Sequence, residues 1–168
     1  MAPPDSDADS DNEKLQRYAQ TILDLRISHE AGHAVLAAHF GYELCNLSLD
    51  ASVVSLEGGT GGSAEINFRL YPHRPDFDKQ LDDIATVLMG GIAAEEFTHP
   101  HLASWSHCKK DIADFKARIG EFRSDAEMDA ILDEGYHRAK ALFSDAEVSE
   151  QTPSLAFFSG DGTEPLRA

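Results

Sequence analysis

Cysteine is scarce in this chain, basic residues are outnumbered, and no long apolar run exists. Cys45 and Cys108 are the only cysteines in 168 residues. Two thiols cannot build a disulfide framework, so the fold needs a packed core, and free thiols point to a reducing cytoplasm. Lys and Arg number 14 against 30 Asp and Glu, a net charge of −16. A surface of that sign repels phosphate backbones and anionic lipid, which argues against nucleic acid and membrane as partners. The longest uninterrupted aliphatic stretch is Ala34 to Ala38, far short of the about 20 residues that span a bilayer. No basic segment followed by an apolar one marks a secretory signal. No Gly-Lys-Ser/Thr ending follows the run Gly58-Gly59-Thr60-Gly61-Gly62. That run therefore reads as a flexible turn between strands and not as a phosphate loop.

Hydrophobic residues make up 42% of the chain, enough for one globular domain with a sizeable core. Residues 1–12 hold two prolines and four aspartates without apolar periodicity and read as a disordered acidic tail. From Glu13 the spacing of Leu15, Tyr18, Ile22, Leu25 and Ile27 predicts helix, with a break near Leu23 to Arg26 and a second helix through to Phe40. Gly41 suits a left-handed stop. Leu44 to Leu56 predicts one or two strands, and Ala64 to Leu70 another, with Ile66, Phe68 and Leu70 alternating. Phe77, Leu81, Ile84, Leu88, Ile92 and Phe97 predict a long amphipathic helix over Asp76 to Thr98. Gly90-Gly91 in its middle weakens the helix, so a close packing contact is the reason to expect there. Ile112, Phe115, Ile119 and Phe122 mark a further helix. Ser124 with Glu127 forms a capping box for one running to about Phe143, and Ser144 with Glu147 a second box. Pro153 onward has no core pattern. The expectation is one α+β domain over 13–150, mostly helical with a small sheet, and a weakly ordered tail over 151–168.

The most informative five residues are His29-Glu30-Ala31-Gly32-His33, an HExxH sequence on a helix. Residues four apart share one face, so both imidazoles can reach one ion. Zinc accepts neutral imidazole and keeps one position open in catalytic sites. Glu30 stands where it can take a proton from water. A catalytic zinc site needs a third protein ligand. His39, Glu95, Glu96, His99, His101, His107, Cys108 and Asp111 qualify by chemistry, and spacing alone does not choose among them. His39 falls near the opposite side of its helix from His33.

HEAGHA at 29–34, the strand and glycine turn, Leu88-Met89-Gly90-Gly91-Ile92-Ala93-Ala94-Glu95-Glu96 and then Asp111-Ile112 resemble, in order and separation, the peptidase domain of FtsH-type zinc proteases. The resemblance covers roughly residues 25 to 143. It implies a helical zinc-peptidase fold with a small β-sheet, zinc on His29, His33 and Asp111, and Glu30 as the base. It places Glu95 and Glu96 on a helix packed near the site. The chain departs from the family in three places. Ser106-His107-Cys108-Lys109-Lys110 replaces a run that in the family carries a small residue and an asparagine, and it introduces two further metal-binding side chains. The segment between Arg118 and Ser124 is short. The membrane helices and AAA+ ATPase of the family have no counterpart in these residues. The resemblance thus implies a zinc metallopeptidase standing alone in the cytoplasm. Its substrates would be short peptides, unfolded segments or chains delivered by a separate ATPase, pairing with an exposed strand edge such as Ala64 to Leu70. A binding or adaptor module that keeps the fold without turnover is the alternative, and hydrolysis of a non-peptide bond a third reading.

Overall fold

A computed structural model of the chain describes residues 6–49 and 62–145. The order of elements is α1 (Ser6–His39), β1 (Glu43–Leu49), β2 (Gly62–Asn67), α2 (Phe77–Thr98), α3 (Lys109–Ile119) and α4 (Asp125–Ser144). The protein is mostly helical, with one two-stranded antiparallel sheet among the described residues. No helix among those residues is long and apolar enough to cross a membrane.

Helix α1 differs from the sequence expectation at both places where an interruption was predicted. It is continuous through Leu23 to Arg26, and it begins at Ser6, inside the acidic segment. No glycine or proline lies between Ser6 and Ala31 to stop it. Ile22, Leu25 and Ile27 are buried, and a helix anchored by packing extends at little cost because only its first turn is expensive. Leu15 and Tyr18 remain exposed, at 67% and 45%, so residues 13–18 of α1 face solvent. The helix stops at Gly41, whose φ of 74° is open to glycine. There the Gly41 and Tyr42 amides donate to the Ala38 and Ala37 carbonyl oxygens at 3.1 and 2.8 Å.

The two strands pair from Glu43 opposite Asn67 to Leu49 opposite Gly62, with the register shifting between Leu44 and Asn46. Strand β2 ends at Asn67 and not at Leu70 because its partner starts at Glu43, directly after the turn out of α1. Ile66 and Phe68 still lean on the core, as their alternation predicts. The remainder of the predicted strand to Leu56, the Gly58–Gly61 turn, the Glu147 half of the second capping box and the tail lie outside the described residues.

Helix α2 is the centre of the molecule. It is buried without interruption from Asp83 to Glu95, which is what a helix apolar on most sides requires. It packs on α1 along one side and on α4 along another. Glycines on both helices permit the α1–α2 approach. A methyl group on Gly32 would collide with the Gly90 carbonyl oxygen and lie 2.7 Å from Ala94 Cβ. Helix α3 ends at Ile119, short of Phe122, and buries Phe115 and Ile119 against α2 and α4. Helix α4 starts at the expected box: Ser124 accepts from the Glu127 amide while Glu127 accepts from the Ser124 amide.

Candidate metal centre

Helical spacing places each polar side chain of the site. On α1, His29 and His33 point the same way, and both are buried, at 8% and 4% exposure. On α2, Val87, Gly91 and Glu95 form a stripe at intervals of four facing those rings. Gly91 makes room for His29, since a Cβ there would lie 2.5 Å from His29 Nε2. One turn later Glu95 Oε1 accepts a hydrogen bond from His29 Nδ1 at 2.8 Å. One turn earlier the Val87 carbonyl oxygen accepts from His33 Nδ1 at 2.9 Å. On α3, Asp111, Phe115 and Ile119 share one face. Burial of the two apolar residues therefore turns Asp111 inward.

These contacts fix the tautomers. A carbonyl oxygen and a carboxylate only accept, so Nδ1 of each ring carries the hydrogen and each neutral ring presents a lone pair at Nε2. Both Nε2 atoms face one oxygen, Asp111 Oδ2, at 3.3 Å from His29 and 3.7 Å from His33. Three electron-pair donors thus converge, all within 4.8 Å of one another. Such an arrangement needs a proton or a cation between its members. Ligands about 2.0–2.2 Å from a tetrahedral zinc lie about 3.3–3.6 Å apart, close to the two distances from Asp111 Oδ2 to the rings. Imidazoles whose far nitrogen is tied to a carboxylate or a backbone carbonyl are the usual form of histidine at a metal.

The charges around the site favour a positive charge between these groups. Burial opposes a charge on His29, but hydrogen bonds to Asp111 and Glu95 outweigh it and raise its pKa from 6.5 to about 9. Burial likewise opposes ionisation of Asp111, yet the adjacent His33 and His29 hold its pKa below the ordinary carboxylate value. A proton on His29 meets that need, and a cation bound at the same place would displace it. The group can therefore hold a metal ion.

The other sequence candidates lie elsewhere or do other work. His39 is exposed on the last turn of α1, against Phe40. His99 Nδ1 meets the Thr98 hydroxyl at 2.9 Å, and His101 is exposed. Glu96 accepts from the Tyr136 hydroxyl and the Lys140 ammonium at 2.6 and 2.7 Å, tying α2 to α4. Cys108 is fully buried and donates to the Trp105 carbonyl oxygen at 3.2 Å. Burial, with Asp111 nearby, pushes its thiol pKa up to about 12. His107 turns Nδ1 to Glu95 Oε2 at 2.7 Å and is not among the three converging groups. Glu30 is half-buried beside them. Sequence reasoning did not reach the Val87 carbonyl or the His29–Glu95–His107 chain. The Gly91 to Glu95 interval was the available signal.

Gly91→Ala is expected to lower zinc affinity about tenfold or more, as loss of an outer partner does, because the new methyl displaces His29. Helix propensity favours alanine over glycine by up to about 1 kcal/mol, so α2 itself should persist. Zinc titration calorimetry with circular dichroism checks both halves. Unchanged affinity would mean that the His29 ring does not rest on Gly91.

Comparison with protein-family models, with curated proteins and with solved structures finds no match to this chain.

Proposed function

We propose that the protein is a zinc metallopeptidase of the FtsH-type peptidase class, hydrolysing peptide bonds in short or unfolded polypeptides. The convergence of His29, His33 and Asp111, with Glu30 next in sequence to the first of them, carries the reading. Zinc on those three groups would supply a Lewis acid for the scissile carbonyl and lower the pKa of water. Glu30 takes the proton from the water whose oxygen bonds to the carbonyl carbon. Its carboxyl group then delivers that proton to the nitrogen as the C–N bond breaks, leaving a carboxylic acid and an amine, which become carboxylate and ammonium as the acid's proton passes to the amine. Glu95 holds His29 and the Val87 carbonyl holds His33, so neither ring must reorient during turnover. An extended peptide would add to a strand edge, β2 in the sequence reading, through main-chain hydrogen bonds. Folded substrates would have to be opened by an unfoldase before reaching such a site.

The second reading, a binding or adaptor module, draws on the altered run Ser106 to Lys110. A binding module has no use for a base at Glu30. Protein purified without metal and reloaded should bind about one zinc per chain and cleave members of an unstructured peptide library. A chelator should abolish cleavage and zinc restore it, as read by mass spectrometry of the products. Absence of zinc binding rejects the metal centre. Zinc binding without cleavage of any peptide selects the module.

A further inference from the structure

We infer that His107 is a positioning residue for the metal centre, acting through Glu95 on His29; the inference rests on the reading of His29, His33 and Asp111 as metal ligands. Glu95 is 2% exposed and receives two imidazole N–H groups, one on each oxygen. His29 Nδ1 lies 2.8 Å from Oε1 and His107 Nδ1 lies 2.7 Å from Oε2. The terminal torsion of a glutamate is soft, so one hydrogen bond would leave the carboxylate plane free to turn. Two donors on opposite oxygens clamp it. The clamp fixes the plane of the His29 ring and the aim of its Nε2 at Asp111.

His107 is itself held. Its backbone amide donates to the Ser104 carbonyl oxygen at 2.9 Å, and the next residue, Cys108, is fully buried and bonded to Trp105. Asp111 lies four residues beyond His107 on the same segment, in the first turn of α3. That segment therefore grips His29 at both ring nitrogens: directly at Nε2 through Asp111, and at Nδ1 through Glu95. His107 is one of the two metal-binding side chains in the run where the sequence departs from the FtsH-type pattern. The geometry converts that departure from a rival ligand into a support.

Zinc and cobalt(II) titrations of the full chain test the inference without recourse to peptidase activity. Loss of an outer partner of a metal-bound histidine lowers metal affinity about 10- to 100-fold; His107→Ala leaves that partner, Glu95, in place, so a loss of about 10-fold, the low end of that range, is expected. His107→Asn can place an amide N–H near the position of Nδ1 and should recover affinity to within a few fold. His107→Leu fills the space without a donor and should behave like alanine. The cobalt d–d absorption should follow the same division, native-like in the asparagine variant and altered in the other two. Glu95→Gln offers one carbonyl oxygen to two donors, so it should weaken binding as well. His107→Ala added to Glu95→Gln should then change little, since contacting residues in one network are not additive. Equal affinity in wild type and His107→Ala overturns the inference alone, as does full additivity of the two substitutions. So does asparagine performing no better than leucine. A wild-type chain that binds neither metal overturns the inference together with the metal-centre reading. If His107→Ala fails to fold, the asparagine and leucine variants decide between the outcomes.

Discussion

Glu30→Gln is expected to retain zinc and the fold while losing peptide hydrolysis by about 10²- to 10⁴-fold, the usual contribution of a general base. Glutamine has the shape of glutamate but cannot take up a proton at neutral pH. Glu30 follows His29 on α1 and lies about 100° around the helix from it and about 60° from His33, on the same side of both. It therefore flanks the ligand pair without belonging to the three converging donors. Half-buried as it is, it can reach both solvent and the reaction. The competing role is electrostatic support of the fold. Lys110 has its pKa raised by its hydrogen bond to Asp114, then by the charges of Asp111 and Glu30. Exposed pairs of this kind contribute about 0–1 kcal/mol, so a purely structural Glu30 would alter unfolding slightly and leave turnover intact. The measurement is single-variant kinetics on an unstructured peptide with zinc content determined on the same sample. Equal rates for Glu30→Gln and wild type would remove the base from the mechanism and with it the peptidase assignment.

The elements were legible wherever local chemistry decides them. Gly41 reads as a helix stop and has positive φ; Ser124 and Glu127 read as a capping box and form one. Gly90-Gly91 reads as a close contact, and its neighbours prove to be Gly32 and His29. Misreadings arose where tertiary packing overrides local pattern. Asp24 and Arg26 interrupt the apolar spacing of α1, yet a helix tolerates charges that reach solvent, and burial of Ile22, Leu25 and Ile27 holds it straight through. The convergence of His29 and His33 was legible because both sit on one face of one helix. The third member was not, because Asp111 meets His29 across 82 residues of sequence, and only the resemblance singled it out. An internal signal did exist: Asp111 repeats at the interval of Phe115 and Ile119, the buried face of α3. Glu95 lies 66 residues from His29. Its role depends on how α1 and α2 cross, which no local pattern specifies.

Asp111→Asn should nearly abolish zinc binding, a larger loss than the about 10- to 100-fold expected of an outer partner. Asparagine keeps the bulk of the side chain but removes its charge and presents an amide that can turn N–H groups toward the ring nitrogens. Those nitrogens are acceptors in the neutral rings, so the variant can satisfy His29 and His33 by hydrogen bonding and leave no reason for a cation. Glu95 would remain the one carboxyl group bonded to His29. Hydrolysis should fall with the metal. Thermal unfolding gives an independent reading, because a ligand that binds only the folded chain stabilises it by about 2.7 kcal/mol at a free concentration of 100 Kd. Zinc should therefore raise the melting temperature of wild type and leave that of Asp111→Asn where it was. Cys108→Ser should behave as wild type in zinc affinity, since the thiol is spent on the Trp105 carbonyl oxygen. Should Asp111→Asn keep full zinc affinity while His107→Ala loses all of it, His107 would be the third ligand. The carry-over of Asp111 from the FtsH-type pattern would then be wrong.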